Sequence, residues 1–190
     1  MEPMNNTFYF LRHGKTNVNK ELPISQWVLS DVGEGQANQL AQEGVFDEVE
    51  IVFSSTEGKA YQTARPIADR LEKEVIQLEE ISELNRDKGG FMEAEAYEQA
   101  VEYCLLNPKQ SVNSWETAES ALRRFSQKIE ELDSQYENEK ILVVGHGYTI
   151  NMYFAKLLGK LDNVYERLNT NGFADWGIVK AGIVAKDIAK

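Results

Sequence analysis

The sequence predicts an α/β fold: a mostly parallel central sheet covered by helices on both faces, giving a three-layer α/β/α sandwich with a small helical insertion. Three observations carry this. Short, nearly continuous apolar runs of strand type recur along the chain, helical periodicities lie between them, and polar or glycine-bearing turns separate the two. Apolar runs of this kind suit strands buried on both faces, and strands alternating with helices imply crossover connections.

In chain order, Thr7 to Leu11 reads as the first strand. Asp31 to Glu43 follows as a helix with Val32, Ala37, Leu40 and Ala41 on one side. Val49 to Phe53 is a second strand, and Ala60 to Leu71 a second helix with Ala60, Ala64, Ile67, Ala68 and Leu71 at near-helical spacing. Asn85 to Ser114 breaks the rhythm with Gly89-Gly90, a helical piece from Glu93 to Leu106, and Pro108. It reads as an insertion over one edge of the sheet, placed to act as a lid. Trp115 to Leu132 resumes the helical pattern through Ala118, Leu122, Phe125 and Ile129. Ile141 to Val144 is the next strand, and Phe173 to Val179 and Ala181 to Asp187 close the chain as two more.

With 190 residues and no repeat, low-complexity tract or linker, the chain is expected to form one domain over 1–190, large enough for a core without disulfides or metals. Its net charge of −11, from 31 acidic against 20 basic side chains, repels nucleic acid and anionic membrane surfaces. It repels phosphorylated compounds too, so any phosphate site must carry its own cluster of donors. Cys104 stands alone, which excludes an internal disulfide and suits a reducing compartment. There is no apolar run of membrane-spanning length, and Met1 to Thr7 shows no signal pattern, so a cytoplasmic protein is expected. A small phosphorylated molecule is the expected partner, with a homodimer left open.

The two histidines occupy matching places. Phe8-Tyr9-Phe10-Leu11 leads into Arg12-His13-Gly14, and Ile141-Leu142-Val143-Val144 leads into Gly145-His146-Gly147. Glycine beside each imidazole lets the backbone turn tightly and a ligand approach. Ligands of open α/β sheets bind beyond the carboxyl ends of strands, where two such ends can bring both rings to one crevice.

Leu11-Arg12-His13-Gly14-Lys15-Thr16, then Asn19, resembles the histidine phosphatase signature of the phosphoglycerate-mutase-like superfamily. Three further segments resemble family motifs in family order. They are Leu29-Ser30-Asp31-Val32-Gly33 with Gln36-Ala37, Ser54-Ser55 followed by Ala60-Tyr61-Gln62-Thr63-Ala64, and Ile141 to Gly147 with Gly145 in place of the usual Ser. The resemblance implies a phosphomonoester hydrolase, metal-independent and without cofactor, acting on a small phosphorylated metabolite or phosphopeptide. It makes His13 the nucleophile that becomes phosphohistidine. Arg12 and an imidazolium at His146 would bind the equatorial oxygens, with Asn19 and Gly147 among the phosphate donors. Glu83, in Ile81-Ser82-Glu83-Leu84, falls where the family often keeps its proton donor.

The clearest departure is Lys59, which stands where the family usually has Arg. Lysine keeps the charge but loses the planar fork, so a weakened phosphate clamp is expected. Arg65, six residues on, falls about 240° around the helix and cannot stand in, whereas Arg86 or Lys88 in the insertion could. Two alternatives therefore stay open: a phosphoglycerate mutase, and a catalytically impaired relative that only binds phosphorylated ligands. Other phosphate chemistries fit worse. Tyr9 stands where a P-loop ending at Gly14-Lys15-Thr16 needs Gly, and Gln110 where a Cys104 phosphate loop needs Arg. The chain has no Asp-x-Asp pair, and neither histidine has a partner at metal-ligand spacing. Trp27, Trp115 and Trp176 read as core or pocket-wall residues.

Overall fold

The computed structural model describes residues 6–189; residues 1–5, most of the stretch read above for a signal pattern, lie outside it, as does residue 190. Six strands form one sheet: β1 (Thr7–Arg12), β2 (Ile51–Ser55), β3 (Val75–Leu78), β4 (Lys140–Gly145), β5 (Trp176–Lys180) and β6 (Ile183–Lys186). Their order is β3-β2-β4-β1-β5-β6. The first four in that order run parallel, and β5 and β6 are antiparallel additions. Six helices accompany them: α1 (Asp31–Glu43), α2 (Gly58–Leu71), α3 (Ala94–Leu106), α4 (Ala118–Gln135), α5 (Gly147–Leu158) and α6 (Val164–Thr170).

Side-chain alternation along the central strands creates the layers. In β4, Ile141 and Val143 face one way and meet Phe125 and Ile129 of α4 and Ile150 and Phe154 of α5. Leu142 and Val144 face the other way, toward Leu40 and Ala41 of α1 and Ala60, Ala64 and Ile67 of α2. β1 repeats the pattern, with Phe8 and Phe10 on the first face and Leu11 on the second. Both faces are covered, which is why these strands read as apolar runs.

Boundaries shift by a few residues from those expected. The fourth helix begins at Ala118, where the Thr117 side chain accepts from the Ser120 amide, so Trp115 precedes it and packs as a buried wedge. The insertion does not lie over a sheet edge. The edges are β3 and β6, and α3 instead buries Ala100, Val101, Cys104 and Leu105 against Trp115, Met152 and Val164, on the outside of the α5 layer. Its apolar stripe finds helices to cover rather than strands. Helices α5 and α6 had no counterpart in the sequence reading. From Gly147 to Ala155 every residue of α5 is buried, so it shows no amphipathic stripe.

Candidate active site

β1 and β4 are parallel neighbours, and Arg12 pairs in register with Gly145. His13 and His146 therefore leave adjacent strand ends side by side, and the His13 amide donates to the Gly145 carbonyl at 3.0 Å. After β1 the chain feeds α1 on one face, and after β4 it feeds α5 on the other, a switch point where the sheet opens a crevice. The imidazole centroids lie 5.2 Å apart.

His13 Nδ1 is 2.7 Å from the Gly14 carbonyl. A carbonyl only accepts, so Nδ1 carries the proton and Nε2 keeps its lone pair. Burial, and then the neighbouring His146, hold the His13 pKa well below its ordinary value, so the ring stays neutral. The loop is locked around it. The Gly14 amide donates to Thr63 Oγ1 at 3.0 Å, the Lys15 amide to Gln36 Oε1 at 2.8 Å and the Leu29 amide to Gln62 Oε1 at 2.9 Å. A Cβ on Gly14 would sit 2.6 Å from the Gly33 carbonyl oxygen, so only glycine allows the loop to meet α1 this closely.

His146 is fully buried; its Nε2 lies 2.6 Å from Ser55 Oγ and 3.5 Å from Glu57 Oε1, and its Nδ1 has no hydrogen-bond partner among the described residues. Burial, followed by the fields of Lys59, Arg86, Arg124 and Arg12, pushes its pKa well below the ordinary value. The imidazolium expected at this position is thus disfavoured by the ring's surroundings.

Arg12 lies with its guanidinium against Gly147, where an added Cβ would be 3.1 Å from Cζ, and 4.5 Å over the Phe173 ring. Its Nη1 donates to the Asn171 carbonyl, and Asn151 Nδ2 holds the Asn171 side chain at 2.9 Å. Lys59 is 2% exposed and lines the cleft. Its Nζ donates to the Ile24 carbonyl at 2.8 Å and to Glu57 Oε2 at 2.5 Å, leaving one of three protons uncommitted.

Glu83 also lines the cleft. Its Oε1 accepts from the Leu84 and Thr149 amides at 3.0 and 3.2 Å, and its Oε2 from the Tyr148 amide at 3.1 Å, at the α5 N-terminus. Burial raises its pKa, against the opposing pull of Arg86 and these amides. Arg124 fixes the supporting loop by donating to the carbonyls of Glu80, Ser82 and Glu83 at 2.7–2.8 Å.

His13, Arg12, Lys59, Glu83 and Gly147 thus share one cleft of about 680 Å³, with His146 beneath it. Asn19 is not brought in. It is exposed, and its Oδ1 accepts from the Glu21 amide at 2.9 Å, closing its own turn. Arg65 is exposed and paired with Asp69, and Lys88 is exposed outside the cleft wall. Arg86 does line the cleft, its guanidinium 4.5 Å over the Tyr148 ring and its Nη1 donating to the Tyr97 and Tyr148 hydroxyls. Glu57, Asn171 and Arg124 escaped the sequence reading. Glu57 could have been suspected from its place two residues before Lys59; the other two carry no local signal.

The histidine phosphatase superfamily (branch 1) profile matches residues 8–179. The chain belongs to that superfamily. Among curated relatives, a putative phosphoserine phosphatase of Hydrogenobacter thermophilus is 29% identical over 167 residues, covering 83% of this chain and 81% of the relative. A probable phosphoglycerate mutase of Erwinia tasmaniensis is 27% identical over 168 residues, covering 84% and 78%. Among solved structures, YhfR of Bacillus stearothermophilus superposes with a TM-score of 0.82 at 20% identity, over 97% of this chain and 98% of that one. A mycobacterial glucosyl-3-phosphoglycerate phosphatase gives 0.79 at 20% identity, over 97% and 99%. At such identities the structural likeness speaks for the fold alone. Among the described residues no helix is long and apolar enough to cross a membrane, and no three His, Cys, Asp or Glu converge as a metal site.

Proposed function

We propose that this chain is a metal-independent phosphomonoester hydrolase working through a phosphohistidine at His13 on a small phosphorylated metabolite. The observation that carries this is His13, its Nδ1 turned to the Gly14 carbonyl, set beside Arg12, Lys59 and His146 at adjoining strand ends. Phosphoryl transfer asks the protein mainly for positioning and for donors to the equatorial oxygens. His13 Nε2 attacks phosphorus while the ester P–O bond breaks. Glu83, whose pKa burial raises, gives a proton to the departing alkoxide. Arg12, Lys59, His146 Nδ1 and the Gly147 amide hold the equatorial oxygens. Burial does most to lower the His146 pKa, and a bound dianion offsets the four neighbouring cations and so favours the charged ring. Water then attacks the phosphohistidine, Glu83 takes a proton back, and phosphate leaves.

A mutase would use the same intermediate but return the phosphoryl group to a second hydroxyl instead of water. Cys104, buried and unpaired, suits a reducing cytoplasm.

The test is release of phosphate from an aryl phosphate with chelator present. Turnover should be unaffected by chelator, and His13→Ala should abolish both turnover and acid-labile phosphoenzyme. Loss of activity with chelator and recovery with magnesium would overturn the mechanism. Efficient interconversion of phosphoglycerates would overturn hydrolysis in favour of the mutase.

A further inference from the structure

Past the phosphate-binding floor the cleft opens into a chamber whose walls come from three separate stretches of chain. Val18 and Trp27 stand on the loop before α1, Phe91 and Met92 on the approach to α3, and Leu168 and Phe173 on and beyond α6. Val18 is 57% exposed and Phe91 40% exposed, large apolar side chains left in water at the mouth of a concave site. Such patches mark places where a partner molecule is covered. The volume, about 680 Å³, lies in the range of sites that enclose drug-sized ligands and far exceeds what a phosphoryl group fills.

The charges of the cleft are already spoken for. Arg12, Lys59 and Arg86 face the carboxylates of Glu57 and Glu83. Arg86 is stacked on Tyr148 and bonded to two tyrosine hydroxyls, and at the rim Lys20 pairs with Glu93 at 3.5 Å while its Nζ covers the Phe91 ring at 4.4 Å. A second anionic group on the substrate would meet the apolar side chains of Phe91, Met92, Leu168 and Phe173 and the carboxylate of Glu93, in a chain whose net charge is −11.

Resting on the phosphatase reading above, we propose that this chamber is a leaving-group subsite for an uncharged apolar alcohol. The substrate class is then phosphomonoesters with an alkyl or aryl body and no carboxylate. The Phe91–Met92 segment and Leu168 sort substrates by apolar area, while the floor does the chemistry.

A homologous series of methyl, ethyl, butyl and hexyl phosphates tests this, because the leaving alcohols differ little in acidity and the slope reads burial. kcat/KM should rise about threefold to fourfold per added methylene, the factor for moving one CH₂ out of water. O-phosphoserine and 3-phosphoglycerate should fall at least about tenfold below butyl phosphate. Phe91→Ser and Leu168→Ser should each flatten the slope, with thermal melting showing that both variants fold. Alkylphosphonates, which cannot be hydrolysed, should repeat the slope as competitive inhibitors. A flat series with 3-phosphoglycerate or phosphoserine preferred would overturn the proposal and assign Arg86 to a substrate carboxylate. No turnover of any ester, with no phosphohistidine at His13, would be a different failure, sinking the phosphatase reading itself.

Discussion

Replacing Lys59 by Met should damage stability and catalysis by two separable routes. The ammonium is 2% exposed and its Nζ sits 2.5 Å from Glu57 Oε2, so truncation leaves a buried carboxylate without its partner. Breaking a buried pair in this way costs about 3–5 kcal/mol, or roughly 6–20 °C in Tm for a chain of this size. The third Nζ proton is uncommitted and, on the proposed mechanism, meets phosphate, where a hydrogen bond to a charged group contributes about 1.5–3 kcal/mol. Its loss should lower kcat/KM by roughly 10- to 150-fold. The double variant Glu57→Gln/Lys59→Met separates the routes. Gln keeps an acceptor for the Glu83 amide, which donates to Glu57 Oε1 at 2.8 Å, while removing the orphaned charge. It should regain most of the lost Tm and none of the lost kcat/KM. Lys59→Arg, which would strengthen a merely weakened clamp, should instead lower activity, because the enclosed wall fits an ammonium between Ile24 and Glu57 and overpacking costs about 1–3 kcal/mol. Thermal melting and steady-state kinetics on the same preparations check each arm. If the double variant regained activity together with stability, Lys59 would be only a counterion to Glu57 and its assignment to the phosphate site would be refuted.

Glu83→Gln should lower kcat by about 10²–10⁴ for alkyl phosphates, whose alkoxides need a proton, and much less for nitrophenyl phosphate, whose anion leaves unaided; equal losses for both would remove Glu83 from the acid role. Acid should destabilise the fold through the histidines. Both His13 and His146 have folded pKa values depressed below the ordinary 6.5, so the unfolded chain binds more protons and stability is lost as pH falls below that value. Melting between pH 7.5 and pH 5 should show Tm falling in the wild type and falling less in His146→Gln, and parallel curves would contradict the burial argument.

Residues 31–43 show what local sequence can settle: Ser30 caps, Ala37, Leu40 and Ala41 face the core, and Gly44 ends the helix in the left-handed region, so expected and observed bounds coincide, although Val32, read onto the same side, is exposed in the first turn. The strand-His-Gly repeats likewise announced two imidazoles at strand ends, because buried strands and turns leave local marks. Helix α5 left none, since burial all round erases the stripe that periodicity detects. The insertion's docking against α5 and α6, not a sheet edge, depended on which apolar surface lay within reach.

At the site the division is sharper. The strand-His-Gly settings singled out His13 and His146, while Arg12 and Glu83 took their expected roles from the resemblance to histidine phosphatase motifs. That β4, not β2, lies against β1 was decided by the tertiary structure, and so was everything that follows from it. This includes the pairing of the two histidines, the exclusion of Asn19, the burial that lowers the His146 pKa, and the meeting of Lys59 with Glu57 beside the cleft. These are consequences of desolvation and of contacts between residues distant in sequence, and neither is written into any short stretch of chain.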